Sequence, residues 1–514
     1  MYNFDIKAFE RVVIYGEPVT LDTHTIERVT KSFHFLVNYL PGRVIYGVNT
    51  GFGPMAQYRI ERADAIQLQY NLISSHSSGM GQLIAPVQVR ALMLARLSTL
   101  SLGFSGIHVQ TVQLLADLIN NGAYPCVYAH GGVGASGDLV QLAHLALGLI
   151  GKGKFMFRGA IVPAVSVYGA LNLKPLTIHI REGLALLNGT SAMTGIGALN
   201  IIASKRLLYF TVLLSTVINE LMEAYDDPFS EPLNAAKLHK GQNYVAMLMR
   251  RYAAGGSLLR KRVDFPFREN DDAPVFEDHV QESYSLRCVP QVAGPVWDTI
   301  INAQSVIENE LNSVNDNPVI DASGCAIYHG GNFHGDYVAL EMDKLKLVIT
   351  KLSMLTERQL NFLLNPAINK RLPPFLNAGR LGLNFGMQGM QYPATSTVAE
   401  NQALSTSLYI HSLPSNNDNQ DIVSMGCNAA LSCSVVIENA YEVLAINAAA
   451  VCQAIDILKV NDRLSVAGKW LHQNVRKHFP FFIADIEGSE PLIAVKEWLK
   501  STDIENDFQQ TGNE

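Results

Sequence analysis

The chain has 514 residues, of which 48% are hydrophobic and only 17% are charged, below the roughly 25% charged residues that are usual in soluble proteins. Its 39 Lys and Arg and 46 Asp and Glu give a net charge of -7, which provides no basic field for nucleic acid or an anionic membrane, so we expect neither partner. The low charged fraction hints that apolar surface is covered between subunits.

The composition of the N-terminus and of the apolar stretches indicates where the protein works. Residues 1–5 contain no cationic leader before an apolar run, and the longest uncharged stretch, residues 183–204, is interrupted by polar side chains. We therefore expect no signal peptide, no membrane span and a cytoplasmic protein. The six cysteines include no close pair, which is typical of reduced and mostly buried thiols.

In chain order, the hydrophobic pattern predicts a mainly α protein with some β. Short strands are expected at residues 12–15 and 176–180. Helical periodicity is expected over three stretches, residues 207–225, 345–355 and 434–458.

Two domains are predicted from this organisation. Residues 1–205 form an N-terminal domain that carries the catalytic loop, and residues 206–514 form a central helical bundle with C-terminal helices. No Pro- or Ser-rich linker separates independent modules.

Several common catalytic motifs are absent from the sequence. It contains no GxxxxGK[ST] loop, no HExxH, no paired CxxC and no GxSxG elbow, which disfavours P-loop nucleotide hydrolysis, zinc proteolysis and serine hydrolysis. His329 and His334 are five residues apart, unlike a helical metal-binding pair, and we expect no metal.

The most informative segment is a glycine-rich loop, residues 130–138, that runs directly into an apolar stretch. As a purely structural feature it would be an anion-binding turn at the start of a helix, with Ser136 or Asp138 as the cap. Such a turn alone does not identify a reaction.

The same loop contains the tripeptide Ala135-Ser136-Gly137. Because Gly137 has no side chain, its amide nitrogen can approach the carbonyl carbon of Ala135 closely, while the hydroxyl of Ser136 can leave as water. Cyclisation with dehydration would give a conjugated electrophilic ring. The positive end of the following helix dipole should strengthen its pull on electrons.

This loop resembles the cofactor-forming segment of the aromatic amino acid lyase family, which comprises the histidine, phenylalanine and tyrosine ammonia-lyases and forms 4-methylideneimidazol-5-one (MIO) from Ala-Ser-Gly. Further stretches resemble family signatures in the same order along nearly the whole chain, at residues 46–53, 75–79, 188–190, 281–287 and 329–334. The resemblance implies a carbon-nitrogen lyase with a fumarase/aspartase-like architecture. It also implies an autocatalytic MIO from residues 135–137, no external cofactor, and a homotetramer whose active sites combine three chains.

The resemblance assigns roles that suit the residue types. Elimination of ammonia needs a base for a weakly acidic β-proton and a better leaving group. Tyr46 resembles the family's catalytic base, which needs positive neighbours to stabilise a phenolate, and Tyr284 its second catalytic tyrosine. Arg287 matches the anchor of the substrate carboxylate, because a guanidinium offers two parallel charge-assisted hydrogen bonds. The amides of Asn188 and Gln281 match groups that hold the substrate and the ring carbonyl.

Three positions bear on the side chain of the substrate. His76 is placed like the histidine of histidine ammonia-lyases and of some bacterial tyrosine-acting enzymes, and a site built to bond a hydroxyl disfavours an analogue that lacks it. Gln420 stands where histidine ammonia-lyases carry a glutamate, and resembles the phenylalanine and tyrosine enzymes. Phe333 is expected to line the aromatic pocket.

The leading prediction is therefore conversion of L-tyrosine to trans-4-coumarate and ammonia, since residues 44–60 and 329–346 resemble bacterial tyrosine ammonia-lyases. Histidine ammonia-lyase, which converts L-histidine to trans-urocanate, remains an alternative. So does a tyrosine 2,3-aminomutase, which uses the same ring and returns the amine to the β-carbon. A non-catalytic scaffold or sensor is disfavoured, because the sequence retains the residues matched to catalytic roles.

Overall fold

The computed structural model describes residues 4–264 and 280–505, and the protein is mainly helical at 59% helix, as predicted. The chain divides into two compact units. The first comprises Met1–Ile202, Asn302–Asp343 and Ser407–Ser434, and the second comprises Ala203–Ile301, Lys344–Thr406 and Val435–Glu514. The simpler division into residues 1–205 and 206–514 stays a prediction.

The α-helices of the described residues are numbered in chain order: α1 (Ile6–Val13), α2 (Thr23–Tyr39), α3 (Ala65–His76), α4 (Pro86–Ser101), α5 (Val109–Asn120), α6 (Leu139–Leu149), α7 (Ala164–Leu171), α8 (Glu182–Leu187), α9 (Ser191–Leu221), α10 (Glu231–Ala235), α11 (Lys240–Tyr252), α12 (Tyr284–Arg287), α13 (Val289–Leu311), α14 (Asp336–Leu364), α15 (Pro366–Asn369), α16 (Gln388–Leu404), α17 (Gly426–Leu458), α18 (Val466–Val475) and α19 (Ser489–Ser501). Short 3-10 turns occur at Gly53–Met55, Asp227–Phe229, Arg262–Asp264, Pro374–Leu376 and Asn461–Arg463.

The strands form three small antiparallel sheets in the first unit. They are β1 (Met80–Leu83), β2 (Tyr124–Pro125), β3 (Tyr128–His130), β4 (Lys154–Phe157), β5 (Ala160–Pro163), β6 (Val319–Asp321) and β7 (Ala326–Tyr328). Strand β1 pairs with β3, β4 lies between β2 and β5, and β6 pairs with β7. The pairing of Met80 with His130 places one end of β3 directly before the glycine-rich loop.

The predicted strand at residues 12–15 is wrong, because this stretch is the end of helix α1 and a turn. Its buried apolar residues Ile6, Phe9 and Val13 recur at helical spacing. The carboxylate of Asp5 accepts a hydrogen bond from the backbone N–H of Ala8 at 2.7 Å, which caps the helix.

The predicted strand at residues 176–180 is also wrong, because the segment has no regular secondary structure. Its backbone donors bond to other partners than a neighbouring strand. The N–H of Leu176 donates to the carbonyl of Leu149 at 2.9 Å, and the N–H of Ile178 donates to the hydroxyl of Tyr70 at 3.1 Å. A β-branched composition therefore misled the prediction, since backbone partners decide the state.

Helix α4 is the central helix of the first unit, since every residue from Ala91 to Leu100 is buried. It packs against α5, while α3, α6 and α8 pack against one another. Burial on all sides explains why the sequence of α4 is apolar without an amphipathic face. One charged residue, Arg96, lies in the middle of this apolar stretch and has no exposed surface.

The three predicted helical stretches lie on α9, α14 and α17, although α9 ends at Leu221 rather than at residue 225. Leu345, Leu352 and Leu355 are buried along α14. A cluster of aromatic rings stabilises the C-terminal part of the second unit. The ring centre of Trp498 lies 5.4 Å from that of Phe210 and 5.6 Å from that of Trp470.

Helices α9 and α17 are each long and apolar enough to cross a membrane, judged by length and composition alone. However, 78% and 83% of their most apolar windows are buried within the protein. Such burial is typical of core helices.

Candidate active site

A cavity of about 500 Å³ lies within the first unit. It brings together residues that the sequence places in distant segments. The predicted site residues along its wall are Tyr46, His76, Ala135, Ser136, Asn188, Phe333 and Gln420. A volume of this size is typical of a small-molecule site.

Ser136 is held in this cavity by two side-chain amides. The Nδ2 group of Asn188 donates to the backbone carbonyl of Ser136 at 3.0 Å. The Nε2 group of Gln420 donates to the hydroxyl of Ser136 at 3.0 Å. Both the carbonyl and the hydroxyl of Ser136 are thus fixed by residues far away in the sequence.

Gly137 occupies a position that only glycine can fill. Its φ is +76°, in the left-handed region. A Cβ atom there would lie 2.0 Å from the carbonyl oxygen of Gly189, which pairs with Gly137 in a parallel bridge. The tripeptide therefore packs directly against the backbone that follows Asn188.

Asp138 plays a different role from the helix cap considered from the sequence. It stands at the N-cap of α6 but makes no side-chain capping bond there. Its carboxylate instead accepts hydrogen bonds from the backbone N–H groups of Ala192 and Met193, at 2.8 and 2.9 Å, at the start of α9. Burial raises the pKa of this carboxyl group to about 7. Ser136 caps neither helix, because its polar atoms bond to Asn188 and Gln420.

Tyr46 lines the cavity from the loop before α3. Its hydroxyl oxygen accepts a hydrogen bond from the backbone N–H of Gly53 at 2.9 Å, and its ring packs edge-on against Phe52 at 6.1 Å. Its backbone N–H donates to Nε2 of His329 at 3.2 Å. A backbone donor thus fixes the position of the phenol oxygen at the cavity.

His76 is the last residue of α3 and lies on the wall of the cavity. Its Nδ1 is 3.1 Å from the carbonyl oxygen of Leu72. Nδ1 also lies 2.9 Å from the hydroxyl of Ser75. A carbonyl can only accept, so the tautomer that bonds to Leu72 carries its hydrogen on Nδ1 and leaves a lone pair on Nε2. Burial lowers the pKa of this imidazole, which favours the neutral form. His76 can thus accept a hydrogen bond from a substrate.

Several residues that line the cavity were not assigned a role from the sequence. Phe52, Asn317, Asn416 and Asn419 also line the cavity. Phe52 lies inside the quoted 46–53 motif, and the asparagines flank the segments around residues 329 and 420. Proximity to a matched motif was the only available indication.

Gln281, Tyr284 and Arg287 belong to the second unit and are not among the residues that line the cavity. They lie together around the short helix α12. The guanidinium of Arg287 lies 4.4 Å from the ring centre of Tyr284 and donates to the side-chain oxygen of Gln281. Tyr284 is 72% exposed. Gln281 is exposed as well, and Arg287 is partly buried, so the three residues form a group at the surface of the second unit.

No group of three His, Cys, Asp or Glu side chains that could hold a metal ion occurs within residues 4–264 and 280–505. The polar groups around Ser136 are amide donors, which suit a carbonyl and a hydroxyl.

Comparison with known proteins gives consistent matches over most of the chain. A family model described as aromatic amino acid lyase matches residues 4–477. A tyrosine 2,3-aminomutase from Myxococcus sp. (strain Mx-B0) is 43% identical over 444 residues, which cover 85% of this chain and 84% of that protein. A tyrosine ammonia-lyase from Cupriavidus metallidurans is 38% identical over 466 residues, with 89% and 87% covered.

Other matches extend over nearly the full length. A histidine ammonia-lyase from Geobacillus thermodenitrificans is 36% identical over 504 residues, with 98% of this chain and 97% of that protein covered. The solved structure of a tyrosine aminomutase from Streptomyces globisporus has a TM-score of 0.93 at 35% identity, and the match covers 99% of this chain and 96% of that chain.

Proposed function

The chain belongs to the aromatic amino acid lyase family, and from this premise we propose that it eliminates ammonia from L-tyrosine to give trans-4-coumarate. One observation carries the proposal. Ser136, held by the amides of Asn188 and Gln420, shares a cavity with a phenol, Tyr46, and a hydrogen-bond acceptor, His76. An electrophile and a base are the two groups that the elimination requires. An acceptor for the substrate hydroxyl would favour tyrosine.

The residues of the cavity fit an MIO ring made from Ala135, Ser136 and Gly137. Gly137 packs so tightly that a Cβ atom would meet a carbonyl oxygen at 2.0 Å. Asn188 holds the carbonyl of Ser136, and Gln420 holds the hydroxyl that is lost. Such a ring, once formed, supplies the electrophile that turns the substrate amine into a better leaving group.

Tyr46 is the proposed base. It would remove the β-proton of the substrate, and the N–H of Gly53 would hold its oxygen in position. Phe333 would pack against the aromatic ring of the substrate.

His76 and Gln420 support tyrosine as the substrate. In the tautomer whose Nδ1 donates to the carbonyl of Leu72, His76 would offer Nε2 as an acceptor for a phenol hydroxyl in the cavity that it lines. Phenylalanine would leave this acceptor unpaired, at a cost of about 1–3 kcal/mol. Gln420 is neutral, whereas a glutamate would favour a cationic or donating imidazole, so histidine is the weaker candidate.

Arg287, with Tyr284 and Gln281, is the proposed anchor for the substrate carboxylate, supplied to this cavity by another copy of the chain in a cytoplasmic homotetramer. The exposed position of Tyr284 and the guanidinium beside it suit a group that completes a neighbouring site. A guanidinium fork can bind a carboxylate through two parallel hydrogen bonds. The low charged fraction of 17% agrees with extensive subunit contacts.

A tyrosine 2,3-aminomutase is the second candidate, favoured by the 43% identity to the Myxococcus enzyme of that name. The two reactions would share the base, the anchor and the hydroxyl acceptor. They differ in whether the acrylate product leaves before the amine returns to the β-carbon, which is a matter of product release.

Parallel incubations of the purified protein with L-tyrosine, L-histidine and L-phenylalanine test the proposal. We expect a rise in 4-coumarate absorbance with tyrosine, with chromatography for β-tyrosine run on the same samples. Accumulation of β-tyrosine would assign the aminomutase, urocanate would refute the reading of Gln420, and no product from any of the three would refute the proposal.

A further inference from the structure

Arg96 is a fully buried arginine behind the ring-forming loop, on the central helix α4 of the first unit. We propose that Arg96 is a positioning residue, which clamps the turn Asn188-Gly189 against the tripeptide 135–137 so that the tripeptide can cyclise. The inference rests on the proposed function, because it concerns the same ring.

The first contact runs through Asn188. An Nη2 hydrogen of Arg96 donates to the backbone carbonyl of Asn188 at 2.8 Å. The side chain of the same Asn188 donates to the carbonyl of Ser136 at 3.0 Å. Arg96 thus fixes the backbone from which the amide donor to the ring carbonyl projects.

The second contact runs through Gly189, which lies between Arg96 and the tripeptide. A Cβ atom on Gly189 would lie 2.3 Å from Nη1 of Arg96. On its other side, the carbonyl of Gly189 accepts the N–H of Asp138 at 2.8 Å and would meet a Cβ atom of Gly137 at 2.0 Å. Guanidinium, Gly189 and Gly137 therefore form one contiguous stack without room for an additional atom.

The remaining bonds of Arg96 hold the structure on either side of this turn. Nη2 also donates to the carbonyl of Ala185, near the end of helix α8. Nη1 donates to Oδ1 of Asn315 at 3.3 Å and to the hydroxyl of Ser191, the first residue of α9, at 3.5 Å. Carbonyl groups at a helix end need such donors. A guanidinium can reach several acceptors at once, whereas a lysine ammonium is a single point of charge.

The cost of burying this charge indicates that the bonds matter. A buried cation is expensive unless it is paired and hydrogen-bonded, and an apolar side chain of similar volume is often less costly. The acidic group Asp316 is bonded to another arginine, Arg181, at 3.1 Å. The acceptors of Arg96 are instead neutral, and two of them are carbonyl oxygens of the segment that supports Ser136.

The chemical step that this clamp would promote is balanced within the chain. The nitrogen of Gly137 bonds to the carbonyl carbon of Ala135, whose oxygen leaves as water with the amide hydrogens of Gly137 and Ser136. The hydroxyl of Ser136 then leaves as a second water with its own α-hydrogen. Two waters are lost without a change in oxidation state of the whole, so the chain becomes two waters lighter. Close approach of nitrogen to carbon is the step that positioning accelerates.

Two matched substitutions test the inference, Arg96→Lys and Arg181→Lys. Both remove a guanidinium with no exposed surface in the first unit and keep a positive charge. The hydrogen bonds of Arg181 go to Asp316 and to the carbonyls of Ser105 and Pro318. The readouts are the intact mass of freshly purified and aged protein, near-ultraviolet absorbance of the ring, and thermal unfolding.

We expect Arg96→Lys to fold and to complete the loss of two waters about tenfold more slowly than the unsubstituted chain, because small misplacement of reacting groups is costly. Arg181→Lys should cyclise at the normal rate even if its melting temperature falls. Equal rates in all three proteins, or equal slowing in both variants, would overturn the inference. Unsubstituted protein that never loses two waters would refute the ring itself, and the proposed function with it.

Discussion

The loop around Ser136 and the segment around Arg287 carry the two halves of the proposed site, and they are built in opposite ways. The polar atoms of Ser136 are bonded to side chains 52 and 284 residues away. Arg287, in contrast, contacts Gln281 and Tyr284, six and three residues away, beside a ring that is 72% exposed. The ring-forming half therefore depends on tertiary folding, while the anchoring half is a local surface group that another chain can use.

The largest effect on activity is expected from a substitution that removes only the ring-forming half of the proposed site. Ser136→Ala should fold normally and lose at least about a thousandfold in kcat, since the group that stabilises the transition state cannot form. Steady-state rates with tyrosine, together with an intact mass without the loss of two waters, check this prediction. Substantial residual activity would show that Ser136 is not the source of the electrophile.

Mixing the two halves from different chains tests whether they must come from one polypeptide. Ser136→Ala and Arg287→Ala should each be inactive alone. Oligomers reassembled from equal amounts should recover about one quarter of normal activity, since each site then has a one-half chance of an intact ring and a one-half chance of an intact anchor. Oligomers that stay inactive would place both halves of the site in the same chain.

A substitution at His76 should change the preference between tyrosine and phenylalanine and leave the fold largely intact. His76→Phe should shift the ratio of kcat/KM for tyrosine over phenylalanine by about a hundredfold toward phenylalanine, because no acceptor is then left unpaired. Competition assays with both amino acids measure the ratio. An unchanged ratio in His76→Phe would show that His76 does not contact the phenol.

The last prediction concerns the pH dependence of stability rather than activity. Burial raises the pKa of Asp138 from 3.8 to about 7, so between these pH values the folded chain keeps a proton that the unfolded chain releases. The contribution of this proton to the free energy of unfolding is fully present below about pH 4. It is lost as the pH rises through 7, by up to about 1.4 kcal/mol per pH unit.

Asp138→Asn, compared in a Ser136→Ala background that cannot form the ring, should flatten this decline. Denaturant unfolding at several pH values between 4 and 8 measures it. Parallel pH profiles for the two proteins would mean that Asp138 does not hold the extra proton.

The family, the mainly α fold with its fumarase/aspartase-like architecture and the carbon-nitrogen lyase class were predicted from sequence and are confirmed. Short motifs were sufficient because glycines and polar residues at fixed spacing, as in residues 46–53 and 130–138, mark positions with special backbone requirements. The site residues, the ring in this chain, the tetramer and the preference for tyrosine stay predictions.

The predicted strands at residues 12–15 and 176–180 were wrong, because local composition does not show where backbone hydrogen bonds go. Arg96 was missed for a related reason. A single arginine in the apolar stretch of residues 91–100 is unusual in the sequence, but its partners come from segments about 90 and 220 residues away.

The sequence by itself determined which chemistry is available, since the tripeptide 135–137, the tyrosine at position 46 and the arginine at position 287 are matters of residue type and spacing. Only the tertiary structure decided how the groups are held. Asn188 and Gln420 donate hydrogen bonds to the carbonyl and the hydroxyl of Ser136. The carboxylate of Asp138 binds the start of α9 rather than the start of α6, where the sequence predicted it. Arg96 lies behind Gly189. These contacts join residues far apart in the chain, and no local pattern specifies them, because a side chain's hydrogen-bond partner depends on packing in three dimensions.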